Sequence, residues 1–339
     1  MYNNAKYYKI SGGVYIMDSK LSDSQIVSQI SGKQRMIKFL NFIHPLLFIA
    51  MPAAIFWGFA NWDRNIGKGI FFIILGILCI PFLVVLGKSV NALERKIKSL
   101  TGEYLVKGVL AEKVQVEKYA PNEYINPDFV KNCNILPNYD RISGSDYVSG
   151  TYRGVPFTFC DLHLQYKDTY RDKNGRKRTR YRTNFLGHVI TLDTKTNING
   201  FVRICERKNP RKENGFLSGI VSGAAEFLGM SQNKVEMESD PFNQQFKVIT
   251  SDDELAFYIL TPQFMEHIVA ADEKVDGYTK IEFENSRVTL ALNNGKNSFE
   301  LTKTLWSKSR LDETRLRFRD EFQNILSIID EILTKDNLF

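Results

Sequence analysis

Two long apolar runs dominate the N-terminal third of the chain. Phe39 to Trp62 is 24 residues without a formal charge, and Gly69 to Gly87 is 19 more. At about 1.5 Å per residue, each crosses a hydrocarbon core roughly 30 Å thick. Only the six residues Asp63 to Lys68 separate them, so they predict a tight antiparallel pair of transmembrane helices. Ala50, Ala54 and Gly58 recur every four residues and permit close backbone approach, either around Gly76 of the second run or to a second copy of the chain. Upstream, a loose tail over residues 1 to 16 gives way to a more helical stretch with Leu21, Ile26 and Ile30. Downstream, Leu93, Ile97, Leu100 and Tyr104 keep helical spacing and predict an amphipathic stalk ending before Pro121.

Beyond Pro121 the pattern changes. Pro127, Pro137 and Ser143-Gly144-Ser145 read as punctuation of short helices and loops up to Gly154. Strand alternation follows: Val155, Phe157 and Phe159 on one parity, then Leu162, Leu164 and Tyr166 on the other, which predicts a bulge near Cys160 or Asp161. Leu186, His188, Ile190 and Leu192 mark the next strand, Asn199-Gly200 a turn, and residues 201–206, 235–240 and 246–251 further strands. Ser251 with Glu254 predicts a capping box, and Thr261-Pro262 restarts a helix up to about Ala271. Ile281 and Phe283, then Val288, Leu290 and Leu292, read as an antiparallel pair before a turn at Asn294-Gly295. A closing helix from about Asp312 to Thr334 carries the stripe Phe322, Ile325, Leu326, Ile329, Ile332 and Leu333. The fold class is α+β: an N-terminal transmembrane helical hairpin followed by a cytosolic mixed, mainly antiparallel sheet domain with flanking helices. The divisions are a tail and short helix over 1–38, the hairpin over 39–87, the stalk over 88–120 and the sheet domain over 121–339.

Charge sharpens the membrane reading. Residues 1–100 carry 12 Lys+Arg against 4 Asp+Glu, whereas residues 101–339 carry 33 against 34. The basic pI of about 9.0 therefore does not describe the later domain. Lys33, Arg35 and Lys38 flank the first run and Lys88, Arg95, Lys96 and Lys98 follow the second, which predicts a multi-pass membrane protein with both termini cytoplasmic; the bacterial inner membrane is what the family resemblance given below implies. Trp57 and Trp62 suit the opposite interface. The opening residues lack a signal-peptide pattern, so the first run is read as the anchor. His44 with Asn41 reads as a headgroup-level polar pair or as part of a proton path.

The remaining chemistry is sparse. Cys79, Cys133, Cys160 and Cys205 have no CxxC spacing, and His44, His163, His188 and His267 are scattered, so no metal or other cofactor is expected. Asp252, Asp253 and Glu254 fit helix capping better than acid–base work, and Glu236 with Glu238 lack a third ligand. No phosphate loop, dinucleotide fingerprint or nucleophile elbow is present. In residues 208–233, Gly215, Gly219 and Gly223 interrupt an apolar stretch that fits either a flexible loop or a membrane-surface segment.

One charged region stands out. Residues 167–212 hold 14 basic and 4 acidic side chains. Asn174-Gly175 is the preferred pair for a two-residue type I′ hairpin turn. That turn pairs Lys173 with Arg176, Arg171 with Arg178, Thr169 with Arg180 and Lys167 with Arg182, putting seven cations on one face. Tyr166, Tyr170 and Tyr181 with Asp168, Asp172 and Lys177 then take the other face. Directly opposed like charges weaken a hairpin, so this arrangement awaits an anionic surface. Lipid headgroups, nucleic-acid phosphate and plain solvation are the three readings of Lys167, Arg171, Lys173, Arg176, Arg178, Arg180 and Arg182, with nucleic acid disfavoured.

Asp146-Tyr147-Val148-Ser149-Gly150, Asn184-Phe185-Leu186-Gly187 and the stretch from Asp240-Pro241-Phe242-Asn243 through Phe246-Lys247-Val248 to Leu260-Thr261-Pro262-Gln263-Phe264-Met265 resemble the bacterial membrane proteins grouped as domain of unknown function 3137. The resemblance covers most of the chain from the two apolar runs onward. It implies two membrane helices before a cytosolic domain and transfers no catalytic residue. The expected role is a membrane-anchored interaction or scaffold module with the lipid bilayer and an unidentified protein as partners, alone or as a homo-oligomer. The alternatives are a membrane-tethered, hydrolase-like enzyme and a nucleic-acid-binding module using the same ribbon.

Overall fold

The computed structural model describes residues 8–10, 13–15, 21–62, 64–207, 233–300, 307–335 and 338–339. The glycine-rich stretch singled out above falls outside them, apart from Asn233. The chain groups into two compact units, residues 1–104 with 301–314 and residues 105–300 with 315–339.

In the first unit, β1 (Tyr8–Ile10) and β2 (Gly13–Tyr15) pair antiparallel where the sequence reads as a loose tail. Helix α1 (Asp23–Ala60) starts at a reciprocal cap: Gln25 N–H donates to Ser22 Oγ at 3.4 Å and Ser22 N–H donates to Gln25 Oε1 at 2.8 Å. It runs unbroken through Pro45 and Pro52. Asn65 caps α2 (Ile66–Thr101), its Oδ1 accepting Lys68 N–H at 3.1 Å. Both helices are long and apolar enough to cross a membrane. Phe39, Phe48, Phe56, Phe71 and Leu78 lie more than half exposed, a surface that water penalises and lipid does not. The two helices meet through glycine. A Cβ on Gly58 would stand 2.8 Å from the Gly69 carbonyl oxygen, and one on Gly76 3.2 Å from that of Met51. Within the chain, Gly58 packs against Gly69 and Ile73, and Gly76 against Met51 and Ile55.

Past Thr101 the backbone widens into a π-helical segment, Gly102–Val106, and returns to α geometry as α3 (Lys107–Ala111). The helix ends earlier than its spacing predicts because the following residues are drawn into a sheet. The second unit is that sheet and its covering: β3 (Gln115–Ala120), α4 (Pro127–Asn132), β4 (Arg141–Tyr152), β5 (Val155–Arg171), β6 (Lys177–Glu206), β7 (Asn233–Val235), α5 (Asp240–Gln245), β8 (Phe246–Thr250), α6 (Asp253–Ile259), α7 (Pro262–Glu273), β9 (Tyr278–Asn293) and, from Arg315 onward, α8 (Lys308–Ile332). The fold is α+β. Its seven strands form an open sheet in the order β3-β4-β5-β6-β8-β7, with β9 also on β6, and every pairing is antiparallel rather than mixed.

Both faces of this sheet are covered. Phe159, Ile190, Leu290 and Phe283 lie under the helices, where Phe264 meets Phe283 at 6.1 Å and Phe299 meets Phe318 at 5.4 Å between ring centroids. Cys160, Leu162, Leu164, Phe185, Val189 and Ala291 pack on the other face against Ile125, Val130, Ile135 and Leu136. This explains the parity change along β5. Phe159 is 1% exposed and Cys160 and Leu162 are 0%, so neighbours on opposite faces are both apolar and β5 needs no bulge there. Its ladder to β6 is continuous from Phe157↔Leu192 to Leu164↔Phe185. The irregularity lies on β4, between Ser145 and Val148, with Asp146 at φ +56°.

Several turn signals prove to be strand features. Ser143-Gly144-Ser145 sits inside β4, where Gly144 leaves room for the Asp161 carbonyl oxygen and the Tyr124 ring. Asn199-Gly200 lies within β6, which bends where its pairing to β9 jumps from Asp193↔Arg287 to Ile198↔Asn285 to Phe201↔Glu284. Ile281 through Leu292 is a single strand, β9, laid along β6 rather than a hairpin. The strand expected over 235–240 is only β7, and Asp240 opens α5. Asp252, not Ser251, caps α6, accepting Glu254 N–H at 3.1 Å. Ser251 Oγ instead accepts Phe201 N–H at 2.9 Å. Thr261-Pro262 opens α7, and Phe322, Ile325, Leu326, Ile329 and Ile332 of α8 are buried, as their spacing predicts.

Candidate functional site: the basic ribbon

Strands β5 and β6 run on past their neighbours. β4 begins at Arg141 opposite Gln165, and β9 pairs with β6 no earlier than His188. Among the described residues, 166–182 are therefore a two-stranded ribbon paired only with itself. Its tip is a three-residue loop rather than the two-residue turn that Asn174-Gly175 suggests. Asp172 N–H donates to the Arg176 carbonyl and Gly175 N–H to the Asp172 carbonyl, both at 2.9 Å, with Gly175 at φ +72°. The Asp172 carboxylate selects this geometry by accepting the backbone N–H of Asn174 at 3.0 Å and of Arg176 at 2.9 Å. Those bonds, the Arg176 one first, and the Arg178 side chain hold its carboxyl below the ordinary carboxylate range.

At the base, pairing passes from Leu164↔Phe185 to Gln165↔Thr183, leaving Asn184 as one extra residue on β6. Its Nδ2 donates to the Asn138 carbonyl at 2.6 Å. The ribbon is consequently out of the expected register by one residue, and a one-residue slip moves cations between faces. Arg178, Arg180 and Arg182 stand opposite Tyr170, Asp168 and Tyr166, while Lys177, Thr179 and Tyr181 stand opposite Arg171, Thr169 and Lys167. The single face of seven cations does not exist. Arg178, Arg180 and Arg182 share one face, Lys167 and Arg171 the other, Lys173 lies in the loop, and Arg176 closes the loop opposite Asp172.

The two faces are electrostatically unlike. Asp168 Oδ2 lies 2.8 Å from Arg180 Nε and 2.7 Å from Arg182 Nε, and Asp172 Oδ2 lies 3.1 Å from Arg178 Nε. Arg180 also stacks over Tyr170 at 4.7 Å. On the other face the Arg141 guanidinium stacks on Tyr181 at 3.4 Å. Opposed cations are thus largely avoided: this ribbon is ordered by its own acids before any ligand arrives.

Elsewhere the structure brings together polar residues that the spacing did not connect. His188 Nδ1 lies 2.7 Å from Asp161 Oδ1, and Ser298 Oγ lies 3.5 Å from the same nitrogen. Asn294 Nδ2 is 2.9 Å from His188 Nε2, while Asn294 Oδ1 accepts Lys296 N–H. The amide therefore donates to Nε2, and the ring proton sits on Nδ1 facing Asp161. A serine nucleophile needs Nε2 for its hydroxyl. Here hydroxyl and carboxylate share Nδ1, the acid is 1% exposed, and Asp161 Oδ2 also accepts Ser298 N–H at 2.5 Å. The cluster fastens the segment after β9. Arg203 and Glu282 form a second buried pair, at 2.6 Å, in which burial raises the Glu282 carboxyl even against its arginine. Cys133 beside it is pushed up to about 12 by burial, the opposite of a reactive thiol. The signal for both clusters is a charged or imidazole residue inside an apolar strand run: His188 between Gly187 and Val189, Arg203 between Val202 and Ile204, Glu282 between Ile281 and Phe283. Of the acids weighed for catalysis, Asp252 is a helix cap, and Glu236 and Glu238 follow β7 outside any strand. Among the described residues no group of three His, Cys, Asp or Glu is placed to hold a metal ion.

The comparisons with known proteins bear on the body more than on the ribbon. Residues 183–333 match the family model described as Protein of unknown function (DUF3137). The crystal structure of the mycobacterial trehalose monomycolate transport factor A, TtfA, aligns with a TM-score of 0.31 at 12% identity, covering 66% of this chain and 92% of that one. No curated protein matches the chain. The family match is narrower than the resemblance read from the sequence: it starts at Thr183, so Asp146 to Gly150 and the whole of the ribbon precede it. The part of this chain that is similar to the DUF3137 family thus runs from the base of the second ribbon strand through α8.

Proposed function

We propose that the protein is a membrane-tethered contact module in which α1 and α2 are the anchor, the DUF3137 domain is the body, and the ribbon meets the anionic headgroups of the leaflet beside it. The observation that carries this reading is the ribbon: from Lys167 to Arg182 it sets eight cations against two carboxylates on strands that support nothing else. Near an anionic leaflet each such cation contributes about 1 kcal/mol, falling away within a Debye length of roughly 8 Å. Tyr170 and Tyr181, 42% and 36% exposed, are the residue type that settles at membrane–water interfaces. The Lys/Arg bias around the two helices supports a cytoplasmic body in a bacterial inner membrane. In that topology an impermeant thiol reagent outside intact cells labels an Asn65→Cys chain and spares an Asn174→Cys chain; the reverse pattern contradicts it.

The function itself is tested by trypsin. With the full chain reconstituted in vesicles, cleavage after Lys173 and Arg176 should slow when phosphatidylglycerol is added to phosphatidylcholine, and recover as salt is raised. Equal cleavage on both lipids would remove the ribbon from the membrane.

A further inference from the structure

The two faces of the ribbon are divided by its register, and only one of them has charge to spare. Resting on the lipid reading above, we infer that the headgroup phosphates are taken by the face of Lys167, Arg171 and Lys177, with Lys173 of the loop, while Asp168 and Asp172 occupy the arginine face from within.

On the arginine face, three guanidinium groups share two carboxylates: Arg178 and Arg180 donate through Nε to Asp172 and Asp168, and Arg182 Nε lies 2.7 Å from Asp168 Oδ2 without a hydrogen bond. A phosphate arriving there competes with an acceptor already in place. On the opposite face no strand position carries a carboxylate: the residues are Gln165, Lys167, Thr169 and Arg171 facing Thr183, Tyr181, Thr179 and Lys177. The nearest acid is Asp140 at the base, whose Oδ2 accepts the Lys167 backbone N–H at 2.6 Å. Among the described residues, Lys167, Lys173, Arg176 and Lys177 make no ion pair, and the Arg171 guanidinium donates only to the Gly175 carbonyl, at 3.3 Å. Alternate residues of a strand stand about 6.6 Å apart, so these cations form a flat row suited to a plane of phosphates. Tyr181 adds an interfacial aromatic ring to the same face, stacked beneath Arg141.

Two triple variants of equal charge separate the faces, because both keep the cleavage sites at Lys173 and Arg176. The full chain is reconstituted in phosphatidylcholine vesicles with and without phosphatidylglycerol. Lys167→Gln with Arg171→Gln and Lys177→Gln should cut the lipid-dependent protection by on the order of tenfold or more. Arg178→Gln with Arg180→Gln and Arg182→Gln should change it less than about threefold. Since the second triple also removes three ion pairs and threatens the ribbon's pairing, Asp168→Asn provides an independent arm: it frees Arg180 and Arg182 and should raise protection severalfold. Equal losses from the two triples, or protection lowered or unchanged by Asp168→Asn, would overturn the face assignment while leaving the ribbon on the membrane. No lipid-dependent protection in the unsubstituted chain would instead remove the reading beneath it. Stronger protection by duplex DNA over phosphatidylcholine vesicles than by phosphatidylglycerol would replace lipid by nucleic acid as the ligand.

Discussion

Between Phe157 and Leu164 the pairing of β5 with β6 is held by burial on two faces, whereas between Gln165 and Arg171 the same strands are held by a loop carboxylate and a few ion pairs. In the body, moving one residue would place Cys160 and Leu162 where Phe159 and Asp161 now lie, mismatching two packed faces and taking the Asp161 carboxylate away from His188 and the Ser298 N–H. In the ribbon nothing is buried, and the register is set from the ends, by Asp172 at the tip and Asn184 at the base. Packing and buried polar partners thus decide what faces what where the sheet is covered; on an exposed ribbon a single turn residue decides it.

The contrast is most easily broken by truncation. Leu162→Ala should cost the domain about 2–5 kcal/mol, and Lys167→Ala on the same strand no more than about 0.5 kcal/mol, as measured by urea unfolding of the full chain in detergent. Comparable costs would mean that the ribbon is structural. A smaller effect tests the junction. Asn184→Ala removes the bond to the Asn138 carbonyl and should cost about 1 kcal/mol. That figure is moderated because Asn184 Oδ1 already takes no hydrogen bond among the described residues.

The finest test uses pH, since the two regions carry carboxyls shifted in opposite directions. Asp172 is depressed, so its contribution is present above the ordinary carboxylate range, near about 3.9, and is lost as pH falls through its own lower value. Glu282 is raised, so its contribution is present below that range and fades as pH rises through its folded value. Acidification should therefore loosen ribbon amides in hydrogen exchange while leaving strands β6 and β9 around Glu282 protected. Loss of protection in both regions together would contradict the separation.

What the sequence shows clearly follows from the same rule. The two apolar runs and the α8 stripe are long and periodic, and they appear as helices with little ambiguity. Thr261-Pro262 is legible because a cap and a proline act locally. The misread features all involve Gly or Asn inside long strands: Gly144 admits a close neighbour, Gly200 sits at φ +124°, and Asn285 at φ +55°. The same residues mark a turn when the chain reverses and a bulge when it only bends, and a partner strand decides between them. The ribbon register was hidden for a related reason. The dipeptide Asn174-Gly175 favours a two-residue turn, but Asp172 two positions earlier captures two backbone N–H groups and makes the loop one residue longer. The His188 and Arg203 clusters join residues up to 149 positions apart, beyond the reach of any local spacing.

The wide turn at Gly102–Val106 acts on helical phase. In an α-helix every fourth residue over-rotates by about 40°, so a row built on steps of four winds off around the axis. The buried positions Ile97, Thr101, Leu105 and Val109 form such a row, and its middle step crosses the π segment. A turn with an extra residue under-rotates, subtracting part of the accumulated angle and returning the row to line. The segment works as a phase corrector: it fits one extra residue into about the same rotation, so deleting one of its residues restores plain α geometry and leaves every later side chain of the helix close to its present phase.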